Sequence, residues 1–205
     1  LASRGMKGSL ANSIVSSRLL SRIASAHGLE HHTTLTGFKW IARAPGLGFG
    51  YEEAIGFCPD PGNVRDKDGI ATSVVAASLV AALKAQGRSV WDELERLARL
   101  HGLHVSSPLT FRVEQIEQIA AGMARLRAQP PSVLAGSPVV EVSDLSQGYR
   151  GLPPTDGVLV LTEAGDRVIA RPSGTEPKLK CYLEVILPVA EGEPLPWAQA
   201  RERLN

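Results

Sequence analysis

The chain has 205 residues, 43% hydrophobic and 21% charged, with 22 basic against 21 acidic side chains and a formal net charge of +1. This length supports two modest cores rather than one large one. A balanced charge with no basic stripe argues against general nucleic-acid binding, so any attraction for an anion must be local. In chain order, Leu1 to Leu10 carries Arg4 and Lys7 with no apolar run behind them and does not read as a signal peptide. Leu10, Ile14, Val15, Leu19, Leu20 and Ile23 recur at helical spacing, and the pattern predicts a helix from about Leu10 to His27, closed by Gly28. His31 and His32 are expected to face solvent. A short strand from Thr33 to Leu35 leads to the turn at Thr36-Gly37. Residues Ala44 to Gly50 hold four glycines or prolines and predict a loop or a very short strand.

A second helix begins after Asp68-Gly69, with Asp68 as its cap, and runs to about Gln86. It is apolar on most faces, as expected of a helix sandwiched between layers. Its uncharged core, Ile70 to Leu83, is too short to span a bilayer. Trp91, Leu94, Leu97 and Ala98 mark a third helix ending near Leu100. This order of elements predicts an α/β layered domain over residues 1–104. From Val113, Ile116, Ile119, Ala120, Met123 and Leu126 give another amphipathic helix, closed by Pro130-Pro131. Strands follow at Val139–Val142, Val158–Thr162, Arg167–Ala170 and Leu179–Leu187. Together they predict a small α+β domain with an antiparallel sheet over residues 105–205. Cys58 and Cys181 lack metal or disulfide spacing and read as reduced thiols that pack as small hydrophobes. His101 and His104 stand three apart without a third ligand nearby, and "GLGFG" lacks the helix a dinucleotide fingerprint needs. The chain reads as a cytoplasmic protein, or a piece of one, with no membrane partner.

The segment Arg171-Pro172-Ser173-Gly174-Thr175-Glu176-Pro177-Lys178 concentrates groups that bind a phosphate. Arg171 offers a planar pair of donors. Ser173 and Thr175 add hydroxyls, and Gly174 allows close approach of backbone N–H groups. Lys178 and Lys180 add positive field, although strand alternation can turn one of them away. A plain strand-connecting turn explains Ser, Gly and Pro, but it needs no Arg, Lys and paired hydroxyls.

"RPSGTEPKLKCYLEV" resembles the phosphate-binding loop of the α-D-phosphohexomutases, the phosphoglucomutase and phosphomannomutase superfamily. "TLTGFKWI" is similar to that family's hexose-facing loop, and "GYEEAIGF" followed by "RDKDGI" to its sugar-specificity loop and adjoining helix start. The three occur in the family's order and cover most of the chain as its third and fourth domains, the fourth being of TATA-box-binding-like fold. The resemblance implies an intramolecular phosphotransferase, an isomerase that interconverts hexose 1-phosphate and 6-phosphate. Its phosphoserine and bisphosphorylated sugar intermediate (glucose or mannose 1,6-bisphosphate) complete the cycle. It also implies Mg²⁺ and a nucleophilic serine supplied by N-terminal domains of the same parent chain. Neither a Ser-His-Asn segment nor an Asp-Gly-Asp loop occurs in these residues, so no metal ligand and no nucleophile are expected here. The chain is expected to be inactive alone and truncated at its last helix.

On this resemblance Thr36, Gly37, Lys39, Glu52 and Glu53 are substrate-binding candidates. Glu52 is the main reader of sugar hydroxyls, because a carboxylate accepts two hydrogen bonds from adjacent OH groups. Glu53 reads as a second contact or as a solvated loop charge. Lys39 reads equally as a contact or a surface lysine, while Phe38 and Trp40 read as core. Lys67 resembles a family lysine that steadies charge or shuttles a proton, or else belongs to a charge cluster at a helix start. Ala54 stands where many members have serine, which leaves the sugar open. A phosphopentomutase and a non-catalytic sugar-phosphate-binding module are the alternatives.

Overall fold

The computed structural model describes residues 1–173 and 176–205. The chain divides into two compact units, Leu1–His101 and Gly102–Asn205.

In the first unit a four-stranded sheet is built on β1 (Ser9–Ser13), whose five residues are all buried. Strand β1 lies between β2 (His31–Thr34) and β3 (Leu47–Glu52), parallel to both. β4 (Gly56–Cys58) closes the edge antiparallel to β3. Successive side chains of β1 enter opposite layers, as strand geometry requires. Leu10 packs with Leu20 and Ala24 of α1 (Leu19–Ala26). Ala11 packs with Phe38 and Ile41 of α2 (Phe38–Ile41), and with Leu47 and Cys58. The expected helix from Leu10 to His27 is therefore corrected to a strand, a turn and a shorter helix. The physical reason is the polar cluster between them. The Asn12 amide donates to the Ser17 carbonyl at 2.9 Å, and the Leu19 N–H donates to Ser17 Oγ at 3.2 Å. Such local bonds compete with helix formation and favour a turn.

Two further expectations change in this unit. The Gly- and Pro-rich run from Ala44 to Gly50 holds most of a full six-residue strand, β3, paired with β1. His31 is not turned to solvent. It is half-buried, and its Nε2 lies 2.9 Å from Asn12 Oδ1. That oxygen can only accept, so the ring donates from Nε2.

Helix α3 (Gly69–Ala85) starts where Asp68 Oδ1 accepts the Ala71 N–H at 2.9 Å, as its sequence predicts. The expected sandwich around it is corrected. Leu83 is its one residue in the buried class, whereas Ile70, Val74, Leu79 and Val80 are exposed. Helix α4 (Val90–His101) follows. No single helix among the described residues is long and apolar enough to cross a membrane.

The second unit is a six-stranded antiparallel sheet in the order β5-β10-β9-β8-β7-β6. Its strands are β5 (Leu103–Arg112), β6 (Val133–Leu134), β7 (Ser137–Asp144), β8 (Val158–Thr162), β9 (Arg167–Pro172) and β10 (Lys178–Leu187). Helix α5 (Ile116–Ala128) lays Ile119 and Met123 on Val158, Val160 and Ala170. Helix α6 (Trp197–Leu204) buries Ala200 and ties Arg203 to Asp166. Strand β5, ten residues long, has no counterpart in the sequence-based expectation. Pro108 argues against a central strand, but β5 is an edge strand, where a missing N–H is tolerated. On β9 and β10, Arg167 and Glu184 are register partners and form an ion pair at 3.1 Å. Their side chains are 9% and 2% exposed.

Burial, with His32 nearby adding to it, lowers the pKa of His31 below 6.5. The unfolded chain then binds more protons than the folded one just below that value. The stability His31 contributes is complete above about pH 6.5 and is lost as pH falls through its lowered folded pKa. His31→Gln keeps a donor for Asn12 without a titrating ring. Thermal midpoints measured from pH 7.5 to 5 should fall less steeply for this variant than for wild type. The other ionisable groups are common to both proteins.

Candidate functional site

Parallel strands end on the same side of a sheet, and open α/β sheets bind ligands beyond those carboxyl ends. The ends of β1, β2 and β3 lead here into Ser13–Ser17, Leu35–Gly37 and Glu52–Ile55 respectively. Glu52 is the hub. Its Oε2 accepts the Gly37 N–H at 3.2 Å, and its Oε1 lies 2.6 Å from the Lys67 ammonium. Lys67 also donates to the Ala54 carbonyl at 3.1 Å. The Glu52 side chain is 13% exposed and that of Lys67 40%, so the pair is neither buried nor free in solvent. A carboxylate has about four acceptor positions and an ammonium three donors. Glu52 therefore keeps capacity for two hydroxyls, and Lys67 keeps one proton to offer.

Two glycines make this geometry possible. Gly37 has φ 107°, a conformation other residues avoid, and it turns its N–H toward Glu52. Gly56 is the register partner of Glu52 across β3 and β4. A Cβ there would stand 2.8 Å from Glu52 Cγ, 2.9 Å from Lys67 Cε and 3.1 Å from Phe38 Cδ2.

The structure thus brings together Gly37, Glu52 and Lys67, with Thr36 half-buried next to them in sequence. Glu53 lies at the same strand end, where its Oε2 accepts the Ser16 hydroxyl at 2.6 Å. Lys39 is not bonded into the group. It is exposed, with its ammonium 5.9 Å from the centroid of the Trp40 ring. Phe38 is core as expected, and Trp40 is half-buried. Asp68 is committed to capping α3, and Asp66 accepts the Lys67 backbone N–H at 2.7 Å. Among the described residues no group of three or more His, Cys, Asp and Glu could hold a metal ion. Cys58 and Cys181 are free thiols, each with its pKa raised by burial.

In the second unit, Arg171 on β9 is the register partner of Lys180 on β10, which in turn faces Thr110 of β5. Lys178 faces Arg112. Residues two apart share a face, as do direct partners across strands. Arg112, Arg171, Lys178 and Lys180 therefore line one side of the sheet. The alternation expected to turn one lysine away does not operate, because the two lysines stand two positions apart, with Leu179 between them. The Ser173 N–H donates to the Lys178 carbonyl at 2.9 Å, and the Val113 N–H to the Pro177 carbonyl at 3.1 Å. Lys178 pairs with Glu176, and that hydrogen bond, with the charges of Arg112 and Lys180, holds the Glu176 carboxyl below its ordinary range. Gly174 and Thr175, two of the candidate phosphate contacts, lie outside the described residues. Arg112 was not singled out by sequence reasoning, and recognising β5 as the partner of β10 is what would have found it.

The chain thus joins an α/β unit with a charged pair at its strand ends to an antiparallel sheet with a cationic face. Residues 1–100 match the phosphoglucomutase/phosphomannomutase alpha/beta/alpha domain III, and residues 109–193 match that family's C-terminal domain. The chain belongs to the phosphoglucomutase/phosphomannomutase family. A probable phosphomannomutase of Haemophilus influenzae is 42% identical over 181 residues, covering 88% of this chain and 37% of that protein. A human phosphopentomutase is 30% identical over 220 residues, covering 95% and 35%. The fold is similar to that of pp63/parafusin, a phosphoglucomutase from Paramecium in its open form. There the TM-score is 0.70 at 20% identity, over 95% of this chain and 36% of that one. The chain spans little more than a third of the length of these proteins.

The crowding at Gly56 gives a direct check. Gly56→Ala should destabilise the first unit by about 1–3 kcal/mol in urea denaturation, the usual range for overpacking. Adding Lys67→Ala should recover part of that loss, since the new methyl group meets the Lys67 side chain. Strictly additive losses would contradict the close approach of the two.

Proposed function

We propose that the protein this chain belongs to is a phosphohexomutase that interconverts hexose 1-phosphate and 6-phosphate through a phosphoserine and a bisphosphorylated sugar. The observation that carries the reading is the Glu52–Lys67 pair, held at the carboxyl ends of parallel strands with acceptor and donor capacity to spare. In this reading Glu52 accepts hydrogen bonds from sugar hydroxyls, while Thr36 and Gly37 border it. Lys67 stabilises charge or carries a proton at the reacting hydroxyl. Arg171, Ser173, Gly174, Thr175 and Lys178 grip the distal phosphate, with Arg112 and Lys180 adding to the field. Phosphoryl transfer depends on positioning and charge neutralisation more than on covalent work by the protein. This chain would supply binding and orientation. The nucleophilic serine and the Mg²⁺ ligands would come from other domains of the parent chain, and the fragment alone would not turn over substrate. Glucose or mannose 1,6-bisphosphate would serve as activator and intermediate, in the cytoplasm.

A second reading is a mutase acting on ribose or deoxyribose phosphates. Ala54 favours it, since it removes a hydroxyl at the turn that carries Glu52, and a human phosphopentomutase matches over 95% of the chain.

Assay of the full-length protein with glucose-, mannose- and ribose-phosphates separates the two. Activity confined to pentose phosphates would overturn the hexose reading, and activity on none would overturn both. In the active protein Arg171→Ala should weaken substrate binding by about 2–3 kcal/mol, the scale of a lost charge-assisted contact. An unchanged KM would remove Arg171 from the phosphate grip.

A further inference from the structure

The two adjacent glutamates at the end of β3 are treated differently by the fold. Glu52 is the last residue of β3 and Glu53 the first of the turn that follows, and the two carboxylates take different partners. Glu52 meets Gly37, after β2, and Lys67, before α3. Glu53 goes the other way, to the turn after β1. Its Oε2 takes the Ser16 hydroxyl at 2.6 Å, and Ser16 Oγ lies 2.9 Å from Ser13 Oγ. Both serines are only 2% exposed, so an otherwise exposed carboxylate is anchored to a buried hydroxyl pair. The register that pairs Asn12 with Tyr51 is what brings these chain segments side by side. Beyond Glu53 the connection to β4 is tight, and Ile55 lies at φ 52° while 87% exposed. A β-branched residue in that conformation persists only where its surroundings determine the backbone.

We infer that Glu53 is a positioning residue, whose bond to Ser16 pins the end of β3 to the β1–α1 turn and so holds Glu52 where Gly37 and Lys67 meet it. Glu53 is then neither a second reader of the sugar nor a solvated charge. The inference rests on the proposed role of Glu52, and its test separates the two claims.

Ser16→Ala removes the anchor while leaving the Glu53 carboxylate available to a ligand. In the full-length enzyme, Ser16→Ala and Glu53→Ala should each lower kcat/KM by about tenfold, the scale of a small misplacement of a contact group. Both should narrow the preference between glucose and mannose phosphates. The double variant should be no worse than either single one. Glu53→Gln, whose amide oxygen still accepts from Ser16, should recover most of the loss. In a Glu52→Ala background the Glu53→Ala change should add little, as expected of coupled residues. Damage from Glu53→Ala with none from Ser16→Ala would make Glu53 a direct sugar contact and overturn the inference. Indifference to both would make it a solvated charge. A readout independent of turnover is the amide proton of Gly37, which reports the Glu52 carboxylate. It should move toward its Glu52→Ala position in both Ser16→Ala and Glu53→Ala, and an unmoved resonance overturns the inference. A wild-type enzyme inactive on every sugar phosphate would sink the functional reading and leave the Gly37 resonance to decide this one.

Discussion

The first unit depends on one constraint, a central strand buried along its whole length. β1 has a layer on each face, so its side chains must be small or apolar where they pack and internally bonded where they are polar. Ala11 and Leu10 meet the first demand, and Asn12, Ser13 and Ser9 meet the second. Asn12 alone connects β1 to the Ser17 carbonyl, to His31 of β2 and, at 3.4 Å, to the Tyr51 hydroxyl of β3. Satisfied buried polar groups of this kind specify one arrangement, whereas unsatisfied ones are costly. The strand order and parallel register that follow are what place the Thr36-Gly37 turn, Glu52 and the serine turn at a common edge.

The two candidate sites use charge differently. Glu52 and Lys67 nearly neutralise each other, so a ligand there meets a polar, orienting surface rather than a net field. At one end of a face of the second unit's sheet Arg112, Arg171, Lys178 and Lys180 stand together, and Glu176 pairs with one of them. That surplus is local, as a chain of net charge +1 requires of any anion-binding surface. Arg and Lys also differ in what they offer: a planar fork at Arg171 and Arg112, and mobile point charges at Lys178 and Lys180.

What could be read from sequence divides along physical lines. α4 and α5 were legible from their amphipathic periodicity, and α3 from a long apolar run behind the Asp68 cap. β8, β9 and β10 were legible from short apolar runs between turn residues. β1 was not, because Leu10, Ile14 and Leu19 happen to recur at helical spacing although Leu10 and Ala11 enter different layers. β5 was hidden by Pro108, which is tolerated because β5 is the edge strand of the described sheet. Within the site, Glu52, Gly37 and Lys67 could be named from motifs. The Ser16–Glu53 bond could not, because it joins residues 37 apart and exists only through the β1–β3 register.

The pair formed by Arg167 and Glu184 has a meaning beyond energy. A buried ion pair is weak evidence for stability, since desolvation offsets much of its attraction, but it is well suited to forbidding alternatives. If β9 slipped by one residue against β10, Glu184 would face either Asp166 or Val168, a like charge or a hydrocarbon. Every side chain on β9 would change faces at the same time. Four residues further along, about 13 Å at the rise of a strand, stand Arg171 and Lys180. The buried pair thus acts as a ruler: it fixes which cations stand shoulder to shoulder at the far end of the strands, at a point it never touches.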